Sequence, residues 1–322
     1  MPTHNTSPNP HRPPNDARFY AALGVLGGFY VLVIVALLLA DLAYMATSDA
    51  TEAGWMPDVA RRISPWPAVA RAPANVLVNL LAALAKPEIR YAIVLSLVSC
   101  TITAIVSLWV AVPLGYVLAR VPFRGRGLVD LILDIPIVLP PLVLGLSLLI
   151  LFQFSPRAVR EAVVYQVPAV ILAQFVVACA FAVRTMQATF QLIDPRREQV
   201  ALTLGCNRAQ AFWRVVLPES KRGIITAGTL AWARALGEFG PLLIFAGATR
   251  MKTEVLSTTV FLELSIGNLP AAVAVSMIMI VAAGTSTPTS ITVVATRSLV
   301  SPATNASITA CFWAALIRPC TS

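Results

Sequence analysis

Glu238 is a carboxylate set deep in an apolar stretch, residues 224–246. A charge at such a place is costly inside a membrane or a core, so it usually faces a cavity or a partner group. Arg234 lies one helical turn earlier on the same face and is the expected ion-pair partner. We expect a structural or gating role for Glu238, with direct ligand contact as the alternative. The flanking residues predict an irregular segment that could hinge: Gly237, Gly240 and Pro241.

Three prolines interrupt a second apolar stretch, residues 128–154: Pro136, Pro140 and Pro141. Each proline lacks a backbone donor and kinks or breaks a helix. In lipid such a break persists only where protein or a water-filled cavity covers the freed carbonyl groups. The pattern predicts a bent helix beside a pathway. A packing kink against neighbouring helices is the alternative.

The segment 194–218 predicts two short helices joined at a glycine. Asp194 is a helix N-cap and Pro195 suits the first helical position, where its missing N–H costs nothing. Gly205 suits the left-handed conformation that ends a helix, and Asn207 caps the second helix, which we expect to end before Pro218. Apolar pairs share a face of each helix at i, i+4 spacing: Val200 with Leu204, and Phe212 with Val216. The segment is either an amphipathic hairpin on the membrane surface or a docking element for a partner's groove.

No catalytic constellation accompanies these segments. The sequence has no G-x-x-x-x-G-K-[ST] phosphate loop, so the chain cannot hold ATP in that manner. The two histidines, His4 and His11, lie in the polar N-terminal stretch, and no two cysteines form a C-x-x-C pair. We therefore expect no enzyme activity, no cofactor and no metal. A membrane-embedded enzyme would need a nucleophile, a metal cluster or an acid–base pair.

The composition places the chain in a membrane. Of its 322 residues 57% are hydrophobic and only 12% charged, and the mean hydropathy is +0.78. A soluble domain carries about 25% charged residues. The net charge of +9 indicates basic cytoplasmic loops rather than nucleic-acid binding.

The hydropathy pattern predicts an all-α polytopic membrane protein with about six transmembrane helices. Residues 1–20 form a disordered tail, 21–45 the first span and 46–90 an external loop. The later spans are 91–119, 128–154, 163–183, 224–246 and a short sixth, 269–283. Residues 284–322 are rich in Ser and Thr. They are either a flexible tail or the product of a reading frame lost near Ala283.

Basic residues set the expected orientation. Arg120, Arg124 and Arg126 lie between the second and third spans, and the 184–222 segment is also basic. The positive-inside rule puts these two loops and the N-terminus in the cytoplasm and the 46–90 loop outside.

Residues 194–218, which we name the coupling loop, resemble the cytoplasmic signature of ABC importer membrane subunits. That signature is E-A-A, three residues, G, nine residues, I-x-L-P. The matching residues here are Glu198, Gln199, Ala201, Gly205, Val215, Leu217 and Pro218. The acid is displaced by one position. The resemblance implies a type I permease fold and a homodimer in the cytoplasmic membrane. It also implies an ATPase subunit that seats the coupling loop, and an extracytoplasmic binding protein.

Two further segments resemble molybdate and sulfate permeases. They are D-I-P-I-V-L-P-P-L-V-L-G (134–145) and A-L-G-E-F-G (235–240) followed by F-A-G (245–247). The resemblance covers residues 91–282 and implies a tetrahedral oxyanion, molybdate first and sulfate or tungstate second. A lone Glu238 would repel such an ion. Donors on apolar spans are candidate pathway or packing residues: Ser96, Ser99, Thr101, Thr103, Ser107 and Gln174. An ion-coupled secondary transporter is the competing class, although its internal repeats are missing from the sequence.

Overall fold

The computed structural model describes residues 17–47 and 68–299, and every regular element within these ranges is helical. In chain order the helices are α1 (Ala17–Thr47), α2 (Ala68–Ala85), α3 (Pro87–Arg120), α4 (Arg126–Val138), α5 (Pro141–Gln153), α6 (Arg157–Val163), α7 (Val167–Leu192), α8 (Pro195–Thr203), α9 (Arg208–Ala211), α10 (Lys221–Leu236), α11 (Leu256–Ile266) and α12 (Leu269–Leu299). Two π-helical turns, Phe212–Val216 and Leu242–Ala246, and a short turn, Leu217–Glu219, complete the set. The all-α prediction is confirmed.

The chain divides into two compact units, Met1–Asn79 and Leu80–Ser322. In the first unit, Asn79 Nδ2 donates to Met45 O at 3.3 Å and joins α2 to α1. Apolar side chains along the described part of α1 are exposed, among them Phe29 and Leu37. A helix with such a surface suits a lipid environment.

The second unit is built on α3, α7 and α10, which pack against one another. Small residues fill their contacts, and these side chains are buried: Ala92, Ala104, Ala111, Ala173, Ala178, Ala227, Ala231 and Ala235. Small side chains let helix backbones approach closely, which is how helices associate where lipid removes the hydrophobic drive.

Two of the described helices, α3 and α7, are long and apolar enough to cross a membrane, and α4 with α5 makes a third span if the bent pair counts as one. The α4–α5 pair bends by 113°, so the predicted third span is a broken one. The predicted fifth span is also divided, because α10 ends at Leu236 and a π-helical turn begins only at Leu242.

Several predicted boundaries need correction. Residues 68–90 are not loop but the helix α2 and the start of α3. Pro87 stands at the first position of α3, where its missing N–H breaks no helical hydrogen bond. The fourth span does not end at 183, since α7 continues to Leu192. Its apolar pattern stops at Arg184 while its backbone hydrogen bonding continues.

The C-terminal prediction is also corrected in part. The sixth helix does not stop at 283, because α12 continues as backbone to Leu299. Residues 284–299 therefore belong to a helix rather than to a separate tail. The remaining parts of the predicted tails and loop, residues 1–16, 48–67 and 300–322, lie outside the described residues.

Candidate functional site: the coupling loop and the broken helices

The coupling loop has the caps that the sequence predicts. The Asp194 side chain accepts from Arg196 N at 2.9 Å, with Pro195 at the first position of α8. Gly205 follows α8 with φ +89°, a left-handed conformation that favours glycine. Asn207 and Gln210 form a reciprocal capping box, with bonds of 2.7 and 2.9 Å. The bent pair of short helices is therefore confirmed.

The second helix differs from the expected one. It does not end before Pro218, because the α-helical turn Arg208–Ala211 passes into the π-helical turn Phe212–Val216 and then into Leu217–Glu219. Leu217 N donates to Phe212 O, a bond one residue longer than in an α-helix. Pro218 lacks a donor and its ring crowds the carbonyl four residues earlier. The widened turn admits this proline within the helix.

Only part of the predicted apolar face is exposed. Leu204 is 68% exposed and Val200 is also exposed, as a docking face requires. Phe212 and Val216 point inward instead: Phe212 contacts the Tyr116 ring at a centroid distance of 4.7 Å, and Val216 is buried. Trp213, which is not part of the predicted apolar pair, is the outward residue at 66% exposure.

Three polar contacts hold the coupling loop and the residues that flank it, Ile193 and Glu219. Tyr116 Oη donates to Glu198 Oε1 at 2.7 Å, and Arg120 Nη2 donates to Ile193 O at 2.5 Å. Both donors are on α3. Arg197 on α8 pairs with Glu219 at the end of the second helix. Glu198 thus joins the coupling loop to a membrane-length helix.

The other signature residues take different positions. Ala201 is buried against the rest of the protein, whereas Gln199 is exposed. Leu217 and Pro218 are half-buried in the short turn that leads towards α10. Gly205 is exposed, with open space where a side chain would go.

The three prolines of the third span produce the break between α4 and α5. Pro136 lies inside α4, near its end, Pro140 caps α5 and Pro141 occupies its first position. Leu139 and Pro140 take extended backbone conformations between the two helices. The predicted bend is confirmed. Its place beside a pathway remains a prediction.

The two broken segments interlock through glycine and proline. A Cβ atom on Gly240 would lie 2.6 Å from Pro141 Cβ, and one on Gly145 would lie 2.8 Å from Pro241 Cα. Real Cβ atoms do not approach so closely, so both positions require glycine for space. Gly237 has no such neighbour nearer than 3.7 Å. Of the predicted hinge glycines, only Gly240 is therefore fixed by packing.

Glu238 lies inside the break that follows α10. Its residue exposure is 2%, and Arg234 Nη1 lies 3.2 Å from its Oε2 atom, so the predicted ion pair is confirmed. The contact is not aligned as a hydrogen bond, and Oε2 has no hydrogen-bond partner in the described chain. Ser257 Oγ donates to the Glu238 backbone carbonyl at 2.7 Å.

The hydroxyl and amide residues of the spans mostly bind the protein itself. Ser96 Oγ accepts from Leu256 N at 2.8 Å, which joins α3 to α11. Gln174 Nε2 donates to Ala235 O at 3.3 Å, which joins α7 to α10. Thr101 Oγ1 donates to the Leu97 carbonyl within its own helix. The packing alternative fits these contacts.

Two ionic clusters were not predicted. Arg184 on α7 donates to Asp134 Oδ1 at 2.9 Å through Nε and to Asp130 Oδ1 at 2.7 Å through Nη1, so α7 is bound to α4. The i, i+4 spacing of the two aspartates is the one sequence signal for this contact. In the second cluster, Arg250 pairs with Glu88 and with Glu263, the latter at 3.0 Å.

A buried acid, Glu254, lies near the second cluster, and its two carboxylate oxygens have no hydrogen-bond partner among the described residues. Burial raises the pKa of Glu254 above the usual 4.5. Burial alone lowers the pKa of Arg250, but Glu88, Glu263 and Glu254 more than offset this, so the pKa of Arg250 is raised. Across residues 17–47 and 68–299 no group of three His, Cys, Asp or Glu side chains could hold a metal ion.

Long apolar helices, a broken span and a capped, bent loop define a polytopic permease subunit. The chain belongs to the family of binding-protein-dependent transport system inner membrane components. Residues 111–299 match the sequence pattern of that family. The match reaches beyond residue 282, where the resemblance in the sequence ends, and covers α12 to its last described residue.

Relatives lie in the subgroup that the motifs indicate. The chain is 39% identical over 151 residues to the molybdate/tungstate transport system permease of Pyrococcus abyssi, covering 47% of this chain and 58% of that protein. It is 32% identical to the sulfate transport system permease of Salmonella typhimurium over 61% of this chain and 73% of that protein. It is 34% identical to the molybdenum transport system permease of Mycobacterium tuberculosis over 63% and 78%.

A solved structure shares the fold. It is a bacterial alginate ABC transporter in complex with an alginate pentasaccharide-bound periplasmic protein, with a TM-score of 0.61 and 16% identity over 86% of this chain and 93% of that one. The type I permease fold is therefore confirmed. At this identity the likeness concerns the fold alone.

Proposed function

We propose that the chain is the permease subunit of an ATP-driven importer that moves a tetrahedral oxyanion, molybdate first, across the cytoplasmic membrane. Sulfate and tungstate are the alternatives within the same family. By their names the relatives are permeases for molybdate, tungstate or sulfate, which supports an oxyanion as the substrate class. An ion-coupled secondary transporter has no supporting relative among these.

The observation that carries the proposal is the coupling loop. Its caps fix two short helices at an angle, and their outer side presents Val200, Leu204 and Trp213 to solvent. Arginines lie beside this apolar surface, among them Arg196 and Arg208. An apolar surface with a basic rim suits a groove with an acidic rim on another protein.

We assign that groove to an ATPase subunit. The sequence has no phosphate loop, so ATP hydrolysis belongs to a separate chain. A homodimer and an extracytoplasmic oxyanion-binding protein complete the proposed importer. The proposed orientation places the N-terminus, the 120–127 loop and the coupling loop in the cytoplasm.

The contacts of the coupling loop suggest how closure of the ATPase subunit reaches the membrane. A pull on Glu198 acts on α3 through Tyr116. The coupling loop also continues directly from α7, which Arg184 binds to α4 at the start of the broken span. A movement of the coupling loop therefore acts on the third span, whose break packs against the break near Glu238. In this proposal Pro136, Pro140, Pro141, Gly237, Glu238 and Gly240 form the gate or hinge region.

The test measures intracellular molybdenum by mass spectrometry at nanomolar external molybdate, with and without excess sulfate. It compares a strain lacking the gene, the same strain carrying it, and strains carrying Gly205→Val or Gly267→Val. Gly267 is a matched control because it is also a left-handed glycine after a helix (φ +84°) but lies outside the coupling loop.

We expect the intact gene to restore molybdenum in the presence of sulfate. Gly205→Val should abolish uptake while ATP hydrolysis by the complex persists, and Gly267→Val should retain most of it. Restoration of sulfate uptake instead would keep the family and change the substrate. Normal uptake with Gly205→Val would refute the docking role of the coupling loop.

A further inference from the structure

Arg234 on α10 holds its guanidinium group in an unusual setting. The Cζ atom lies 5.4 Å from the centre of the Phe181 ring, a cation–π contact, and Nη1 lies 3.2 Å from Glu238 Oε2. No hydrogen bond of the Arg234 side chain occurs within the described part of the chain, and 35% of this side chain is exposed. Phe181 and Glu238 therefore hold the guanidinium group of Arg234, and N–H donors of this group remain without an acceptor among the described residues.

The depth of this group follows from its contact with α7. Phe181 lies 14 residues after the start of α7 but only three before Arg184, where the apolar stretch of this helix ends. At 1.5 Å per residue these separations are about 21 Å and about 4.5 Å. The guanidinium group of Arg234 therefore lies inside the apolar stretch, about one helical turn from the end that leads into the coupling loop.

An arginine inside an apolar stretch is costly where it faces lipid, and such residues almost always face water or a partner group. The backbone beside it supports water. Glu238 belongs to the break after α10, and that break packs on the break between α4 and α5. Irregular backbone at membrane depth occurs where it is buried in protein or lines a water-filled cavity.

We propose that Arg234 is an oxyanion-binding residue of the translocation pathway, positioned by Phe181 and Glu238. The proposal rests on the permease function proposed above. A guanidinium group is always charged and offers paired N–H donors that match two oxygens of an oxyanion. The Glu238 charge balances Arg234 while the site is empty. The Phe181 ring holds the guanidinium plane without using its donors.

Arg184 shows what a purely structural arginine looks like in the same bundle. Its Nε, Nη1 and Nη2 atoms all donate to α4, to Asp134 Oδ1, Asp130 Oδ1 and Asp130 O. Those donors are used by the protein itself. Within the described residues Arg234 has one ionic partner and no hydrogen bond of this kind, which leaves its donors for a ligand.

The first experiment compares uptake of molybdate and sulfate in strains that carry the intact gene, Arg234→Gln or Arg234→Lys. Arg124→Gln is the matched control, because Arg124 is an exposed loop arginine away from the breaks. We expect Arg234→Gln to lower the maximal uptake rate at least about tenfold and Arg234→Lys to lower it less, since lysine keeps the charge but loses the paired donors. Arg124→Gln should match the intact chain.

Each strain is also tested for assembly, by purifying the complex and measuring its ATP hydrolysis. A complex that assembles and hydrolyses ATP but does not transport supports the binding role. Uptake by Arg234→Gln at the intact rate overturns it. If Arg234→Gln fails to assemble, Arg234→Lys and the cysteine experiment below decide.

The second experiment uses Arg234→Cys and two thiol reagents of similar size, one that adds an ammonium group (MTSEA) and one that adds a sulfonate (MTSES). If water reaches the site, the ammonium reagent should restore roughly a fifth of uptake or more, because it returns a positive charge as lysine does. The sulfonate reagent should restore none. The intact chain, treated in the same way, controls for its own cysteines.

Absence of restoration, with residue 234 unmodified by mass spectrometry, means that the side chain faces protein and overturns the proposal. Equal restoration by both reagents overturns it as well, because charge is then irrelevant. An intact chain that transports neither molybdate, tungstate nor sulfate refutes the proposed function instead, so the two failures are distinguishable.

Discussion

Replacement of Gly240 by alanine tests whether the two broken helices must interlock. The added Cβ atom would lie 2.6 Å from Pro141 Cβ and 3.0 Å from Leu142 N. Carbon atoms at rest are about 3.5–4.0 Å apart, so one segment has to move by about 1 Å. Proline and backbone atoms cannot rotate away as a flexible side chain can. Overpacking of this kind costs about 1–3 kcal/mol.

The assay is the apparent melting temperature of the purified protein in one detergent, followed by molybdate uptake in cells. For a chain of this size each kcal/mol corresponds to about 2–4 °C, so Gly240→Ala should melt at a lower temperature than the intact protein. Uptake should fall further than the amount of folded protein does, because the displaced segment belongs to the proposed gate.

Gly237→Ala is the control, since the nearest atom to its added Cβ is 3.7 Å away, an ordinary contact. Its backbone has a helical conformation (φ −81°) that alanine adopts without strain. It should melt at or slightly above the temperature of the intact protein. Equal melting temperatures for Gly240→Ala and Gly237→Ala would refute the argument from close packing.

Three further predictions concern the polar contacts. Tyr116→Phe removes the donor to Glu198 and should lower transport per ATP hydrolysed, as measured with the reconstituted complex. The free energy of unfolding should fall by at most about 3 kcal/mol. Arg184→Gln leaves Asp130 and Asp134 without their cation and should lower the melting temperature more than Arg184→Lys does; the reverse order would contradict the cluster's role. Glu254→Gln should flatten the dependence of melting temperature on pH. Because the folded-state pKa of Glu254 is raised, the intact protein loses stability as pH rises from about 4.5 through that pKa. A parallel pH profile in both proteins would contradict this assignment.

Local signals in the sequence predict local structure well in this protein. The caps at Asp194 and Asn207 and the bend at Gly205 need only neighbours within three or four residues, and all three occur as expected. The Arg234–Glu238 pair is likewise one helical turn apart. Each depends on hydrogen bonds or spacing that the chain carries with it.

Contacts between distant residues were not predicted. Arg184 appears in the sequence as a loop residue because it ends an apolar run, but its aspartate partners on α4 allow the helix to continue as far as Leu192. The exposed face predicted for the second helix of the coupling loop is also wrong. Spacing groups Phe212 with Val216 but cannot tell which side packs, and Tyr116 of α3 decides it. The π-helical turn before Pro218 also changes the direction in which the following side chains point, and α-helical spacing does not predict this change.

The interlocked breaks restrict how a gate in this fold can open. Gly240 lies against Pro141 and Gly145 against Pro241, so each broken segment supplies both a glycine and a proline to the other. Neither segment can shift towards the other without a clash, and neither can rotate alone without losing two contacts. A movement that reaches α4 through Arg184 must therefore displace both breaks together. Because Glu238 belongs to one of these breaks, the same movement changes the setting of its ion pair with Arg234. If the breaks form the proposed gate and Arg234 the proposed anion site, one movement of the coupling loop would therefore act on both.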